Sequence, residues 1–325
     1  MLPLEVLIAI SIMISLNLYA LMGGADYGGG VWDLLASGPR AKAQRELIAE
    51  AIGPIWEANH VWLILVIVLL FTAFPQAFAS ITTVLHIPLT LMLFGIVLRG
   101  SAFAFRTYGA KAAVGRIFAI ASLVTPLLLG VNLGATAAGR LRFDGDFVSV
   151  FIRPWLQLFP LSVGFFALAL FAFLAAVYLT LETDDPDLRE DFRKRALASA
   201  VAVDVIAAVV FFLSDSGAPL IRRGLGRLWP LQILTGVLAV IALLALWWRR
   251  FHLARISAAA QATLVVWGWG LAQFPYLVAP ELTIYNTAAP SAVLRWLLLG
   301  LIIGAFLLLP SLYYLFRVFK GRQQS

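Results

Sequence analysis

Apolar residues in this chain come in blocks about 20 residues long, the length an α-helix needs to cross the hydrocarbon layer of a bilayer. Nine such blocks lie near residues 4–35, 52–74, 79–105, 115–138, 158–181, 196–214, 229–248, 257–272 and 292–317. Hydrophobic residues make up 62% of the 325 and charged residues 13%, against about 45–50% and about 25% in soluble domains. That balance excludes a water-soluble fold and predicts one all-α integral membrane domain spanning residues 1–325 with about nine transmembrane helices. The first block is too long for one straight crossing and holds the run Gly23-Gly24-Ala25-Asp26-Tyr27-Gly28-Gly29-Gly30, so a bend or an extension beyond the bilayer is expected there. The eighth block is short.

The net charge of +7 does not point to nucleic acid, because the basic residues are spread between apolar blocks and form no single patch. Their distribution sets topology instead. Connections after odd-numbered spans hold 17 Lys and Arg, among them Arg40, Lys42, Arg45, Lys111, Arg193, Lys194, Arg195, Arg249, Arg250 and Arg322; the other side holds 7, namely Arg140, Arg142, Arg153, Arg222, Arg223, Arg227 and Arg295. By the positive-inside rule the N-terminus lies outside and the C-terminus, with Gln323, in the cytoplasm. The start Met-Leu-Pro-Leu-Glu has no basic segment, so its apolar run is expected to be a retained span and not a cleaved signal. With no cysteine, disulfides, thiolate metal sites and cysteine nucleophiles are absent, and any redox metal would need His, Met or carboxylate ligands. The acidic run Glu182-Thr183-Asp184-Asp185-Pro186-Asp187, before Arg193-Lys194-Arg195, reads as the longest polar cytoplasmic connection. It joins approximate halves 1–181 and 196–325.

Polar groups inside apolar spans are costly in lipid and face a protein interior or a water path. Asp26, Glu57, His86 and Asp204 are of this kind. Glu57 sits in Trp56-Glu57-Ala58-Asn59-His60-Val61-Trp62, roughly 8 Å from the cytoplasmic end of the second span, with Asp26 about 13 Å from that of the first. The two carboxylates are expected at similar depth, and Asp204, about eight residues into the sixth span, could reach the same layer. Buried carboxylates titrate near neutrality and suit a proton-uptake path. Asp26 has a second reading, a side chain that caps or bridges a glycine-rich helix bend. Asp204, alone among valines, is evenly open to a functional or a structural role.

Haem iron is commonly held by His, but His60 and His86 fall at unmatched depths and His252 in a loop, so no haem or metal ligation by this chain is expected. Arg99, ending the third span, either snorkels to the cytoplasmic surface or pairs with an inner carboxylate. Trp56 and Trp62 either pack internally or join an aromatic belt, whereas Trp247 and Trp248, beside Arg249-Arg250, read as belt residues. The glycine cluster is no phosphate loop, since no Lys-Ser/Thr pair follows it.

Gly24-Ala25-Asp26-Tyr27-Gly28-Gly29-Gly30, Pro54-Ile55-Trp56-Glu57-Ala58-Asn59-His60-Val61-Trp62, Phe74-Pro75, Leu98-Arg99-Gly100 with Phe105-Arg106, and Ala272-Gln273-Phe274-Pro275 with Thr287-Ala288-Ala289-Pro290 together resemble the signatures of subunit II of cytochrome bd-type quinol oxidases. The resemblance runs from end to end. It implies two four-helix bundles plus one peripheral helix, in the bacterial cell membrane, paired with a similarly folded subunit I. In that family subunit I carries the haems, b and d or b alone, and the quinol site; subunit II supports assembly and borders proton access to the oxygen-reducing centre. The resemblance puts Glu57 on the proton path, with Glu where some members have Asp and His60 where some have Gln. It also implies contact with membrane lipid and the quinol pool, a possible small single-span third subunit and a possible structural quinone. Two other classes compete: a proton-coupled secondary transporter and a scaffold without a proton role. Against the transporter stands the absence from this sequence of a paired broken helix in the second half, which such folds carry.

Overall fold

The computed structural model describes residues 2–53, 56–107 and 112–321. Pro54 and Ile55 of the tryptophan motif, Lys111 and Arg322 of the basic count, and Gln323 lie outside the described residues.

Leu4–Leu18 (α1) runs through a π-helical turn, Tyr19–Gly23, directly into Gly24–Leu34 (α2). The first span is therefore one interrupted helix of 31 residues. The interruption has a local cause: the Gly24 amide donates to Tyr19 O, one residue further back than in an α-helix. After a short turn come Ala41–Ile52 (α3) and Trp56–Ala73 (α4). Phe74 leaves helical geometry (φ −134°, ψ 59°) and Pro75 opens the short helix Pro75–Val84 (α5). His86–Thr107 (α6) and Ala112–Ala138 (α7) follow.

The expected span 79–105 is thus broken at Leu85. Pro88 lacks an amide hydrogen and fits only the first turn of a helix, which explains why the chain restarts at His86. His86 consequently stands exposed at a helix end, its Nδ1 2.9 Å from Thr83 O, and is not a polar group inside a span.

Phe147–Phe151 (α8) and Leu158–Leu179 (α9) lead to Pro186–Gly217 (α10). The expected polar loop is largely helix. Asp185 caps it, its Oδ1 accepting from the amides of Asp187 (2.8 Å) and Leu188 (3.3 Å), and Pro186 takes the first helical position, where a missing amide costs nothing. Only Thr180–Asp185 remains as a connection, so α9 and α10 pack along each other directly. Pro219–Arg227 (α11), Trp229–Trp247 (α12) and Phe251–Gln273 (α13) come next, then a two-stranded antiparallel ribbon of Tyr276–Val278 (β1) and Leu282–Thr283 (β2), then Ser291–Gly321 (α14).

Among the described residues eight helices are long and apolar enough to cross a membrane. The block expected at 257–272 is a 23-residue helix, α13, but Arg255, Ser257, Gln261 and Gln273 make it too polar to count with them; a ninth crossing is not established. α9 is the central post: it packs against α2 and α7 on one side and α10 and α13 on the other. α12 and α13 pack on each other, and α14 lies against α1 and α4 with only 6% of its span buried. Lipid offers no hydrophobic drive between helices, so small residues at the crossings decide how close they come. A Cβ on Gly130 would lie 2.5 Å from Val163 O, and one on Gly164 2.6 Å from Leu127 O, which is why α7 and α9 need glycine on both sides.

A buried ion pair as the candidate functional site

Glycine in a helix interior costs roughly 0.5–1 kcal/mol against alanine, so a run of three needs a reason. A Cβ on Gly28 would sit 2.0 Å from the Phe171 carbonyl oxygen of α9, and one on Gly30 2.1 Å from Ser122 Oγ of α7. The run lets α2 press against both helices. Trp32 secures the contact, its Nε1 donating to Ala172 O at 2.7 Å. Asp26, one turn earlier, is thereby sealed from the surface.

Arg99 of α6 answers it. Its Nη2 donates to Asp26 Oδ1 at 2.6 Å and to Asp26 O at 3.2 Å; its Nε donates to Ser122 Oγ at 3.1 Å. Both side chains are 1% exposed. The guanidinium lies between the rings of Tyr27 (4.7 Å) and Phe118 (5.0 Å), contacts that stabilise a planar cation once water is removed. Arg99 therefore pairs inward and does not snorkel. Asp26 ties α2 to α6, an inter-helix contact that neither of its two readings contained. Asp26 Oδ2 and Arg99 Nη1 are buried with no hydrogen-bond partner among the described residues, so the pair keeps one acceptor and one donor free.

The π turn adds a second polar contact. Asn59 of α4, fully buried, donates through Nδ2 to Met22 O at 3.4 Å, a carbonyl inside the interrupted stretch. His60 packs beside Tyr19 and Tyr27, with both ring centroids 6.2 Å away. Trp56 stacks on Phe103 at 5.6 Å, and Trp62 is buried; both belong to the interior and not to a belt. A cavity of about 300 Å³ borders Asp26, lined also by Met22, Ala175, Tyr178, Glu182 and Arg255. It reaches from the ion pair to the ends of α9 and α13.

Two expectations change. Glu57 is exposed in this chain, not buried: Asn59 and Glu57 are two residues apart, about 200° around a helix, so burying one turns the other out. Asp204 also faces out. It sits in an exposed stripe with Val201, Val205 and Val209, at the three- and four-residue spacing of one helix face, turned away from the side chain of Asp26. The histidines do not suit a haem: His60 is hemmed by two tyrosine rings, and His86 and His252 are exposed at helix ends. No group of three potential metal ligands occurs among the described residues.

A family model described as cytochrome bd terminal oxidase subunit II matches residues 4–319. The chain belongs to this family. A putative cytochrome bd menaquinol oxidase subunit II of Bacillus subtilis (strain 168) is 25% identical over 334 residues, covering 97% of this chain and 95% of the relative. Subunit 2 of the cytochrome bd-I ubiquinol oxidase of Escherichia coli (strain K12) is 25% identical over 209 residues, 60% of this chain and 52% of its own length. In fold the chain is similar to a chain of the bd oxidase from Geobacillus thermodenitrificans, with a TM-score of 0.84 at 24% identity over 98% of this chain and 99% of that one. As a bd oxidase subunit II, the chain is part of an oxidoreductase, and the transporter reading falls away. Ser122 and Phe118, which with Tyr27 of the glycine motif complete the setting of Arg99, escaped the sequence reading. A serine one helix away carries no sequence mark of its partner.

Proposed function

We propose that this chain is the haem-free subunit of a quinol:oxygen oxidoreductase, holding a haem-bearing subunit I in place and bordering the path by which protons reach its oxygen-reducing centre. The observation that carries this reading is the setting of the two inner carboxylates. Asp26 is locked to Arg99 but leaves Oδ2 free, beside a cavity that extends to Glu182 and Arg255 at helix ends. Glu57 stands outward on α4 beside Trp56 and His60, with no ion-pair or hydrogen-bond partner among the described residues, where a neighbouring subunit can cover it. A paired carboxylate holds its charge and fixes local structure; an unpaired one is free to take up and release a proton. The division of labour follows: Asp26 with Arg99 as scaffold and polar wall, Glu57 as relay. Asp204 enters this path only if a partner covers the outward face of α10.

The haems, b and d or b alone, belong to subunit I in this proposal, consistent with the hemmed and exposed histidines here. The family supports a bacterial plasma membrane, and the basic residues support an N-terminus outside and a C-terminus inside. The exposed apolar faces of α6, with Leu91, Phe94 and Val97, and of α14, with Ile302, Phe306 and Leu309, support contact with subunit I, lipid, the quinol pool and a single-span third subunit. A structural quinone in the chain completes the proposal.

The test is turnover per mole of haem in the purified complex. Glu57→Gln keeps volume and hydrogen bonding but removes titration, and is expected to slow quinol-driven oxygen consumption about tenfold or more, equivalent to ~1.4 kcal/mol in the barrier. Glu57→Asp is expected to keep much of the rate. A Gln variant with full haem content and unchanged turnover would leave Glu57 structural.

A further inference from the structure

α11 departs from the charge pattern of the rest of the chain. Three of its nine residues are Arg222, Arg223 and Arg227, none is acidic, and it lies on the side of the membrane that is otherwise poor in basic residues. Its inner face is fixed by packing. Ile221 is buried, Leu225 packs with it against Ala218 and Phe159, and a Cβ on Gly224 would meet Ala272 O of α13 at 2.1 Å. Rotation about this helix is therefore not free. Arg222 is accounted for: it lies over the Phe211 ring at 3.9 Å and near Asp215 Oδ1 at 3.8 Å. Arg223 and Arg227 are not. They are exposed, have no ion-pair partner among the described residues, and stand four residues apart on the face opposite Ile221, close enough for both guanidinium groups to reach one anion.

Two residues beyond Arg227 the surface becomes apolar. Trp229 is 61% exposed and begins a stripe down α12 with Ile233, Val237, Val240 and Leu244, all exposed. Gln232 Nε2 donates to Leu225 O and ties the top of this stripe to α11. A pair of cations above a tryptophan and a row of aliphatic side chains offers one ligand both of its needs: a phosphodiester at the headgroup level and acyl chains below. We infer that Arg223 and Arg227 form the headgroup site of an anionic phospholipid whose chains lie along α12. A soluble anion would use the arginines and leave the stripe unexplained; a lipid uses both.

The test uses the intact oxidase complex, stripped of lipid in detergent and titrated with micelles of phosphatidylglycerol or phosphatidylcholine, with bound lipid counted by native mass spectrometry. The wild-type complex is expected to retain phosphatidylglycerol in preference to phosphatidylcholine. Arg223→Gln with Arg227→Gln is expected to weaken the phosphatidylglycerol site roughly thirtyfold, from about fivefold per basic group near a membrane surface, and the double lysine variant to restore much of it. Undiminished phosphatidylglycerol binding in the double glutamine variant overturns the proposal. So does displacement of the lipid by millimolar inorganic phosphate, which would mark a site for a free anion, or loss of another subunit from the variant complex, which would mark a protein interface.

Discussion

At the scale of single residues the decisive arrangement is Asp26 with Arg99. Removing one partner of a buried pair leaves the other charge unneutralised in a low-dielectric interior, which costs about 3–5 kcal/mol. Asp26→Asn and Arg99→Gln are each expected to lower the unfolding temperature of the purified complex or to abolish its assembly. The double variant should recover part of the loss, with a coupling of about 1–3 kcal/mol; strictly additive losses would show that the 2.6 Å contact contributes nothing. Both residues could be singled out from the sequence, since an acid or a base within an apolar block is conspicuous. Pairing of Arg99 with an inner carboxylate was one of its two readings, but that the carboxylate is Asp26 was not legible, because this depends on how α2 and α6 are rotated, and rotation is set by Gly28, Gly30 and Ser122 packing across three helices. The same blindness misplaced Glu57. Its motif is dense with polar and aromatic groups, but only the burial of Asn59 and Trp62 decides which side of α4 turns inward.

At the scale of elements, average hydropathy located most spans within a few residues but could not read their ends. α10 begins ten residues before the apolar block because Asp185-Pro186 is a helix start, a signal of two residues that a window of twenty dilutes. The break at Leu85 and the amphipathic helices α3 and α11 were missed for the same reason. Close helix contacts make their own prediction. Gly28→Ala would put a methyl group 2.0 Å from Phe171 O, a backbone atom that can yield only if α9 moves, and should cost about 1–3 kcal/mol or more. Gly236→Ala, on the exposed face of α12 with nothing within 4 Å of the added carbon, should be neutral or stabilising by up to ~1 kcal/mol. Thermal unfolding of the two variant complexes checks this directly. Equal behaviour would mean that α2 and α9 do not meet as closely as their glycines imply.

At the scale of the whole molecule, the blocks read from hydropathy recur as helices in the first half of the chain, and their order predicts a sidedness. Ser37 follows the span Leu4–Leu34, and Asp144 follows the span Val114–Ala138; between them the chain passes through the two further spans Trp56–Ala73 and His86–Phe105 before the last one. Three crossings separate the two sites, so they lie on opposite sides of the membrane whichever way the protein is inserted. The side is expected from charge: the surface that carries Ser37 also carries Arg40, Arg45, Arg193 and Arg249, and the positive-inside rule predicts that it faces the cytoplasm. The chain has no cysteine, and both positions are exposed, so Ser37→Cys and Asp144→Cys each introduce one unique, reachable thiol. In intact cells a membrane-impermeant maleimide is expected to label Asp144→Cys and to spare Ser37→Cys until the membrane is permeabilised. Labelling of both from outside would refute the three-crossing path. Labelling of Ser37→Cys alone would keep the fold and invert the protein, moving the cavity beside Asp26 to the outer face and removing it from any route for cytoplasmic protons.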